Sequence, residues 1–169
     1  MLISDKLSQA MNAQVGSELS ASNQYLQIAA YFEREFLPEL ASFFYRQSDE
    51  ERAHALKFVH YIVEAGGTLA IPQIPQPPHK LESAEAAAKM ALDWEMAVTK
   101  QINHLTDMAI QENDHIAQQF LRWFADEQLE EVATMDELLG VIRRAGPQLL
   151  FVEQYIARRG DPHAAEAEA

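Results

Sequence analysis

The 169-residue chain has no cysteine, which excludes disulfides, thiolate metal sites and a cysteine nucleophile. Basic residues are scarce: 13 Lys and Arg stand against 26 Asp and Glu, for a formal charge of −13. A nucleic-acid-binding surface needs clustered cations to neutralise phosphates, so no nucleic-acid partner is expected. By charge alone the acidic excess reads first as an ordinary solubilising acidic surface, and otherwise as that of a protein that tolerates or attracts cations. No run of about 18 apolar residues is present to span a membrane. The N-terminal "MLISDKLSQAMNAQ" also lacks the basic stretch and apolar core of a signal peptide. A cytoplasmic location with no membrane partner is therefore the expectation. Apolar residues make up 48% of the chain, enough for one domain with a sizeable core.

Glycine and proline are few, six and seven, and they cluster where helices stop. "EFLPEL" (35–40) puts Pro38 where a helix can begin but not continue. "EAGGTLAIPQIPQPPHKLES" (64–83) opens on Gly66 and Gly67 and holds four prolines. "QENDH" (111–115) and "RAGPQ" (144–148) are further turn signals. The patterns between them predict four long helices, over 5–35, 38–65, 83–112 and 115–145, and a short fifth over 148–159. No sustained alternation predicts a strand. The domain is expected to cover 1–159, with 160–169, "GDPHAAEAEA", as a loose tail.

The long linker decides the topology. A helix of roughly 28 residues is about 42 Å long, and 16 linker residues reach about 53 Å. The linker can run the length of the bundle and leave the second and third helices parallel. The short turns make the first and second, and the third and fourth, antiparallel pairs. The expected fold is all-α: a four-helix bundle with one long crossover plus a short fifth C-terminal helix.

The buried stripes of these helices carry polar residues at mid-length. In "SDEERAHALKF" (48–58), Glu51 and His54 interrupt the stripe that runs from Leu40 and Phe44 to Phe58. The other helices show Glu18, Glu95, and Gln128 with Glu131, in otherwise apolar stripes. Folding each hairpin about its turn, near residue 36 or 113, brings its polar residues level. The halves also share one offset: Glu18, Glu51 and His54 each lie 77 residues before Glu95, Gln128 and Glu131. A pseudo-two-fold bundle would gather all six at one height.

Four buried carboxylates repel one another and each loses hydration, so they need compensation. Protonation relieves some of that cost; multivalent cations relieve it more directly. Hard oxygens with one imidazole suit iron or manganese better than a closed zinc site. A lone buried Glu or His is usually a satisfied polar group, and it is the matched depth and common offset that point to metal. Tyr25, two turns past Glu18, reads equally as core filler or as a site neighbour that donates a hydrogen bond or an electron. Trp94 and Trp123 read as packing. Glu50, Glu127 and Glu130 sit one residue from the stripe, rotated by about 100°. They form either a solvated acidic face or an outer metal station. His60, His79, His104, His115 and His163 show no ligand spacing.

Glu18, Tyr25, Glu51-x-x-His54, Glu95 and Gln128-x-x-Glu131 together resemble the ferroxidase centre of bacterial non-haem ferritins, a ferritin-like di-iron family. The general ferritin-like pattern has two single glutamates and two Glu-x-x-His motifs. Gln128-x-x-Glu131 departs from it, as in ferritins proper. Bacterioferritins would place a haem-ligating methionine where this chain has Arg52, so no haem is expected. The resemblance implies a catalytic set of Glu18, Tyr25, Glu51, His54, Glu95, Gln128 and Glu131. It further implies a third iron site at Glu50, Glu127 and Glu130, and a hollow homo-oligomer of 24 subunits storing ferric mineral. Fe(II), with dioxygen or hydrogen peroxide, is the implied substrate. "NDHIAQQF" (113–120) falls where a three-fold pore would lie but lacks the acid pair of animal pores. Two rival readings are a non-storing di-iron oxidase or peroxidase, and a metal-buffering or structural bundle.

Overall fold

Capping chemistry explains where each helix begins. In the computed structural model, which describes residues 2–159, α1 (Asp5–Arg34) starts behind Ser4, whose hydroxyl accepts the Leu7 amide at 3.0 Å. α3 (Ala84–Gln111) and α4 (His115–Ala145) start in the same way behind Ser83 and Asp114. α2 (Pro38–Glu64) has leucine at its N-cap and no local side-chain acceptor. Its cap comes from the short α5 (Leu150–Arg159): the Glu153 carboxylate accepts the Glu39 and Leu40 amides at 2.9 and 2.8 Å. An anion at a helix N-terminus is favoured by the exposed amides and the helix dipole, and here the contact also docks α5 on the bundle.

Among the described residues there are five helices and no strand, as expected. The expected boundaries agree to within two residues. The largest difference is at α5, which opens at Leu150 instead of 148 because 146–149 form a turn. The expected tail, 160–169, lies outside the described residues.

Buried apolar residues form two clusters, and their membership gives the topology. One joins the C-terminal half of α1 (Tyr25, Phe32), the start of α2 (Leu40, Phe44), the start of α3 (Ala84, Ala88) and the end of α4 (Leu138, Ile142), with Val152 and Ile156 of α5. The other joins the opposite halves: Leu7 and Met11, Phe58 and Ile62, Ile102 and Leu105, Leu121 and Phe124. α2 and α3 therefore begin at the same end and run parallel, which requires the long crossover.

That crossover, 65–83, lies against α1. Asn12 donates to the Thr68 carbonyl at 2.9 Å and accepts the Ala70 amide at 2.6 Å. A Cβ added at Gly16 would fall 2.3 Å from Pro72 Cγ, so only glycine lets the strap pass there. The bundle is closed differently on its two faces. Small buried residues, Ala84, Ala87, Ala88 and Ala91, line the first half of α3, while stacked rings, Phe58 on Phe124 at 4.2 Å and Tyr61 on Phe120 at 4.1 Å, fill the space between α2 and α4.

Candidate metal centre

Between the two apolar clusters, every long helix crosses one level with a polar side chain. Glu18 comes from α1, Glu51 and His54 from α2, Glu95 from α3, and Gln128 and Glu131 from α4, each at most 4% exposed. Helical spacing explains the geometry: residues three or four apart share a face, so Glu51 and His54, like Gln128 and Glu131, project into the same space.

On the α1–α2 side, Glu18, Glu51 and His54 offer ligand atoms that lie within 4.8 Å of one another. His54 Nδ1 is 3.5 Å from Glu51 Oε2, and the imidazole meets Trp123 and Phe124 edge-on at ring distances of 5.5 and 5.9 Å. Those rings fix its plane. Glu18 Oε1 accepts the Gln14 amide at 2.8 Å, while Glu18 Oε2 is buried with no hydrogen-bond partner.

The α3–α4 side differs. Glu95 is engaged at both oxygens: the Tyr25 hydroxyl donates to Oε1, and Gln128 Nε2 lies 3.2 Å from Oε2. The same Gln128 nitrogen is 3.2 Å from the Glu95 carbonyl and 3.2 Å from Thr99 Oγ1. Glu131 Oε1, like Glu18 Oε2, is buried without a partner.

All four carboxyls are pushed toward their protonated forms, with loss of hydration as the largest cause in each case. Burial carries Glu18 from 4.5 up to about 7, opposed by the adjacent Glu51 carboxyl and by the Gln14 amide on Oε1. Burial raises Glu51 well above the usual carboxylate range, and the charges of Glu95, Glu18 and Glu131 add to it. Glu131 is raised well above that range too, by burial and then by Glu95, Glu50, Glu127 and Glu130. Glu95 is raised by burial against hydrogen bonds from Tyr25, Gln128 and Glu51. The Tyr25 hydroxyl is likewise held well above its usual value by burial and the nearby acids.

An unpartnered buried oxygen costs about 1–3 kcal/mol, and here two of them sit among four strained acids. A multivalent cation answers both problems, satisfying the oxygens and replacing the protons. The donor set, mostly hard oxygen with one imidazole, fits iron.

Comparison with known proteins agrees with this geometry. The family model described as a Ferritin-like domain matches residues 8–145. The chain is 40% identical over 156 residues to Ferritin BfrB of Mycolicibacterium smegmatis, covering 92% of this chain and 86% of that protein. It is 34% identical over 159 residues to the bacterial non-heme ferritin of Bacteroides fragilis, covering 94% of this chain and all of the relative. Among solved structures, an open pore ferritin from the hyperthermophilic archaeon Archaeoglobus fulgidus superposes with a TM-score of 0.89 at 32% identity, covering 92% and 96% of the two chains. The chain belongs to the ferritin family.

Within this ferritin-family bundle, the six stripe residues read from sequence converge, and Tyr25 joins them through Glu95 while also packing on Phe44 at 5.8 Å. The outer acids group differently from expectation. Glu50 and Glu127 come together with His54 and Glu131, all within 4.8 Å, whereas Glu130 is exposed and acts on Glu131 through its charge. Trp123 does more than pack, since it faces the His54 ring and carries Lys57 Nζ 4.2 Å above its own.

Gln14 and Thr99 escape the sequence reading. Each lies one turn from a site glutamate, but Gln14 is an uncharged amide and Thr99 is only partly buried. The available signal was a side-chain donor or acceptor four residues from Glu18 or Glu95. Gln47, which sits on the stripe, donates to Glu50 Oε2 at 2.7 Å and so belongs to the same network.

Proposed function

We propose that the chain is an iron-storage ferroxidase. Fe(II) is the substrate and dioxygen or hydrogen peroxide the oxidant. Glu18, Glu51 and His54 hold one ferrous ion; Glu51, as the shared carboxylate, holds a second with Glu95 and Glu131. Gln128 orients Glu95 and solvent. Each Fe(II) gives up one electron, and dioxygen with two protons takes the pair to form hydrogen peroxide. Peroxide as oxidant takes two electrons and two protons to give two waters. Carboxylate-rich ligation favours the ferric state, which draws the oxidation forward. Fe(III) then passes by way of Glu50, Glu127 and Glu130 into the cavity of a 24-subunit homo-oligomeric shell in the cytoplasm, and no haem takes part.

The observation that carries this reading is the convergence of six buried donor side chains from four helices at one level, with two carboxylate oxygens left unpartnered. A structural polar layer would have paired those oxygens.

The deciding experiment adds Fe(II) stepwise to metal-free protein in air, following oxidation by absorbance and counting iron retained in solution per chain. Fast early oxidation with retention far beyond three irons per chain is expected. Saturation at two or three would leave a di-iron oxidase without storage. Binding with no faster oxidation would leave a metal-buffering bundle.

A further inference from the structure

The two oxygens of Glu18 live in different surroundings. Oε1 accepts the Gln14 amide at 2.8 Å; Oε2, equally buried, has no partner. Gln14 stands one turn earlier on α1 and is 3% exposed. It forms part of the floor of a groove of about 440 Å³ between α1 and α3, whose rim includes Ser17, Gln101 and His104. Gln14 thus separates the groove from the carboxylate. The other half of the bundle has nothing equivalent: the position 77 residues on from Gln14 is Ala91, fully buried, and Glu95 is held instead by Tyr25 and Gln128.

We infer that Gln14 is a positioning residue for metal loading: its amide holds Glu18 Oε1, so that Glu18 presents Oε2 alone as a single-oxygen ligand to the ion bound with Glu51 and His54. The inference rests on Glu18 being a ligand. A carboxylate with both oxygens free can turn about its last torsion and chelate through both, which changes coordination number and geometry. A donor fixed on one oxygen removes that freedom and leaves the other oriented in advance. Partners of this kind, touching a ligand and not the metal, are worth 10–100-fold in metal affinity. The α1 backbone supplies the alignment, because residues four apart face the same way. Gln14 is buried beneath the groove and adds no charge to a site already crowded with acids.

The test uses Co(II), added anaerobically to the full metal-free chain, with binding affinity for the first ion and the Co(II) absorption bands as readouts. Gln14→Met keeps length and packing while removing the donor. It should weaken the first ion by about 10–100-fold and shift the Co(II) bands toward a higher coordination number, with the melting temperature of the metal-free protein little changed. Ser17→Ala, in the same groove, should leave both readouts as they are. Glu18→Ala is the reference: if it too leaves the first ion undisturbed, Glu18 is no ligand and the proposed centre itself is wrong. If Glu18→Ala abolishes first-ion binding but Gln14→Met leaves affinity or band positions unchanged, the centre stands and the positioning role of Gln14 is overturned.

Discussion

The α1–α2 and α3–α4 hairpins are halves of one design with different finishing. They share the 77-residue offset, the antiparallel turn and the depth of their polar residues. The first half offers Glu18, Glu51 and His54 within 4.8 Å, with one Glu18 oxygen unpartnered and an imidazole locked by two aromatic rings. The second half offers Glu95 with both oxygens already engaged, an amide in place of the carboxylate, and a carboxylate in place of the imidazole. In the proposed centre a symmetric backbone thus carries an organised station and a guarded one. An ion entering the second must displace the Tyr25 and Gln128 hydrogen bonds from Glu95, so the first should fill first and more tightly.

Removing the imidazole should break that order most severely. In the proposed centre His54 is a direct ligand, and losing one exceeds the effect of an outer partner, so His54→Ala is expected to weaken the first ion by more than about 100-fold and to remove the fast phase of Fe(II) oxidation in stopped-flow absorbance. An unchanged initial rate would mean that the organised station has been assigned to the wrong half.

Next in size is the response to pH without metal. Glu18 titrates at about 7 when folded against 4.5 otherwise, because burial disfavours its charge. The folded state therefore keeps a proton that the unfolded chain releases. Stability from this group is fully present below pH 4.5 and is lost as pH rises through about 7. The raised values of Glu51, Glu95 and Glu131 act in the same direction. Thermal melts from pH 5 to 8 should show the metal-free protein weakening, and saturating Co(II) should cancel or reverse the trend. A metal-free melting temperature that climbs over that range would contradict the buried-acid account.

Making the halves alike should sharpen the comparison. Gln128→Glu with Glu131→His gives the second hairpin the residue types of the first. Calorimetric Co(II) titration should then show two steps drawing together, with the second ion gaining about 10-fold, at the lower end of ligand-sphere effects. Persistently separate steps would locate the asymmetry in Tyr25 and the aromatic rings instead.

The smallest effect belongs to Tyr25→Phe. It frees one oxygen of Glu95 and makes that carboxylate resemble Glu18, which has one oxygen held and one free. Sparing one hydrogen bond of about 1 kcal/mol should tighten the second ion by about fivefold and leave the first alone. Weaker second-ion binding would show that the Tyr25 hydroxyl orients Glu95 for the metal and does not guard it.

Much of this was legible in the residues. Helical periodicity placed the four stripes, and their polar members, Glu18, Glu51, His54, Glu95, Gln128 and Glu131, are all buried. Gly66 with Gly67, Pro38 and the 113–114 turn set the breaks, and linker length forced the crossover. The candidate site emerged because acids and an imidazole at core positions are costly unless something compensates them, so their repetition carried information that single residues lack. Gln14, Thr99 and the exposure of Glu130 were not legible, since a helix surface pattern does not say which oxygen a neighbouring amide will choose. Glu153 was equally silent. Nothing local links it to residues 39 and 40, more than a hundred positions away, until α5 folds back onto α2.

The chain's own pattern thus determined the helices, their pairing, the parallel α2 and α3, and the level at which six polar side chains meet. These follow from local spacing and chain length. Tertiary packing alone decided that Tyr25 on α1 reaches Glu95 on α3, that Gln14 occupies one Glu18 oxygen while the other stays unpartnered, and that Trp123 braces His54. Those contacts depend on how each helix is rotated and how closely its neighbours approach. Periodicity puts a residue on a face, whereas close packing between helices selects the rotamer and the partner.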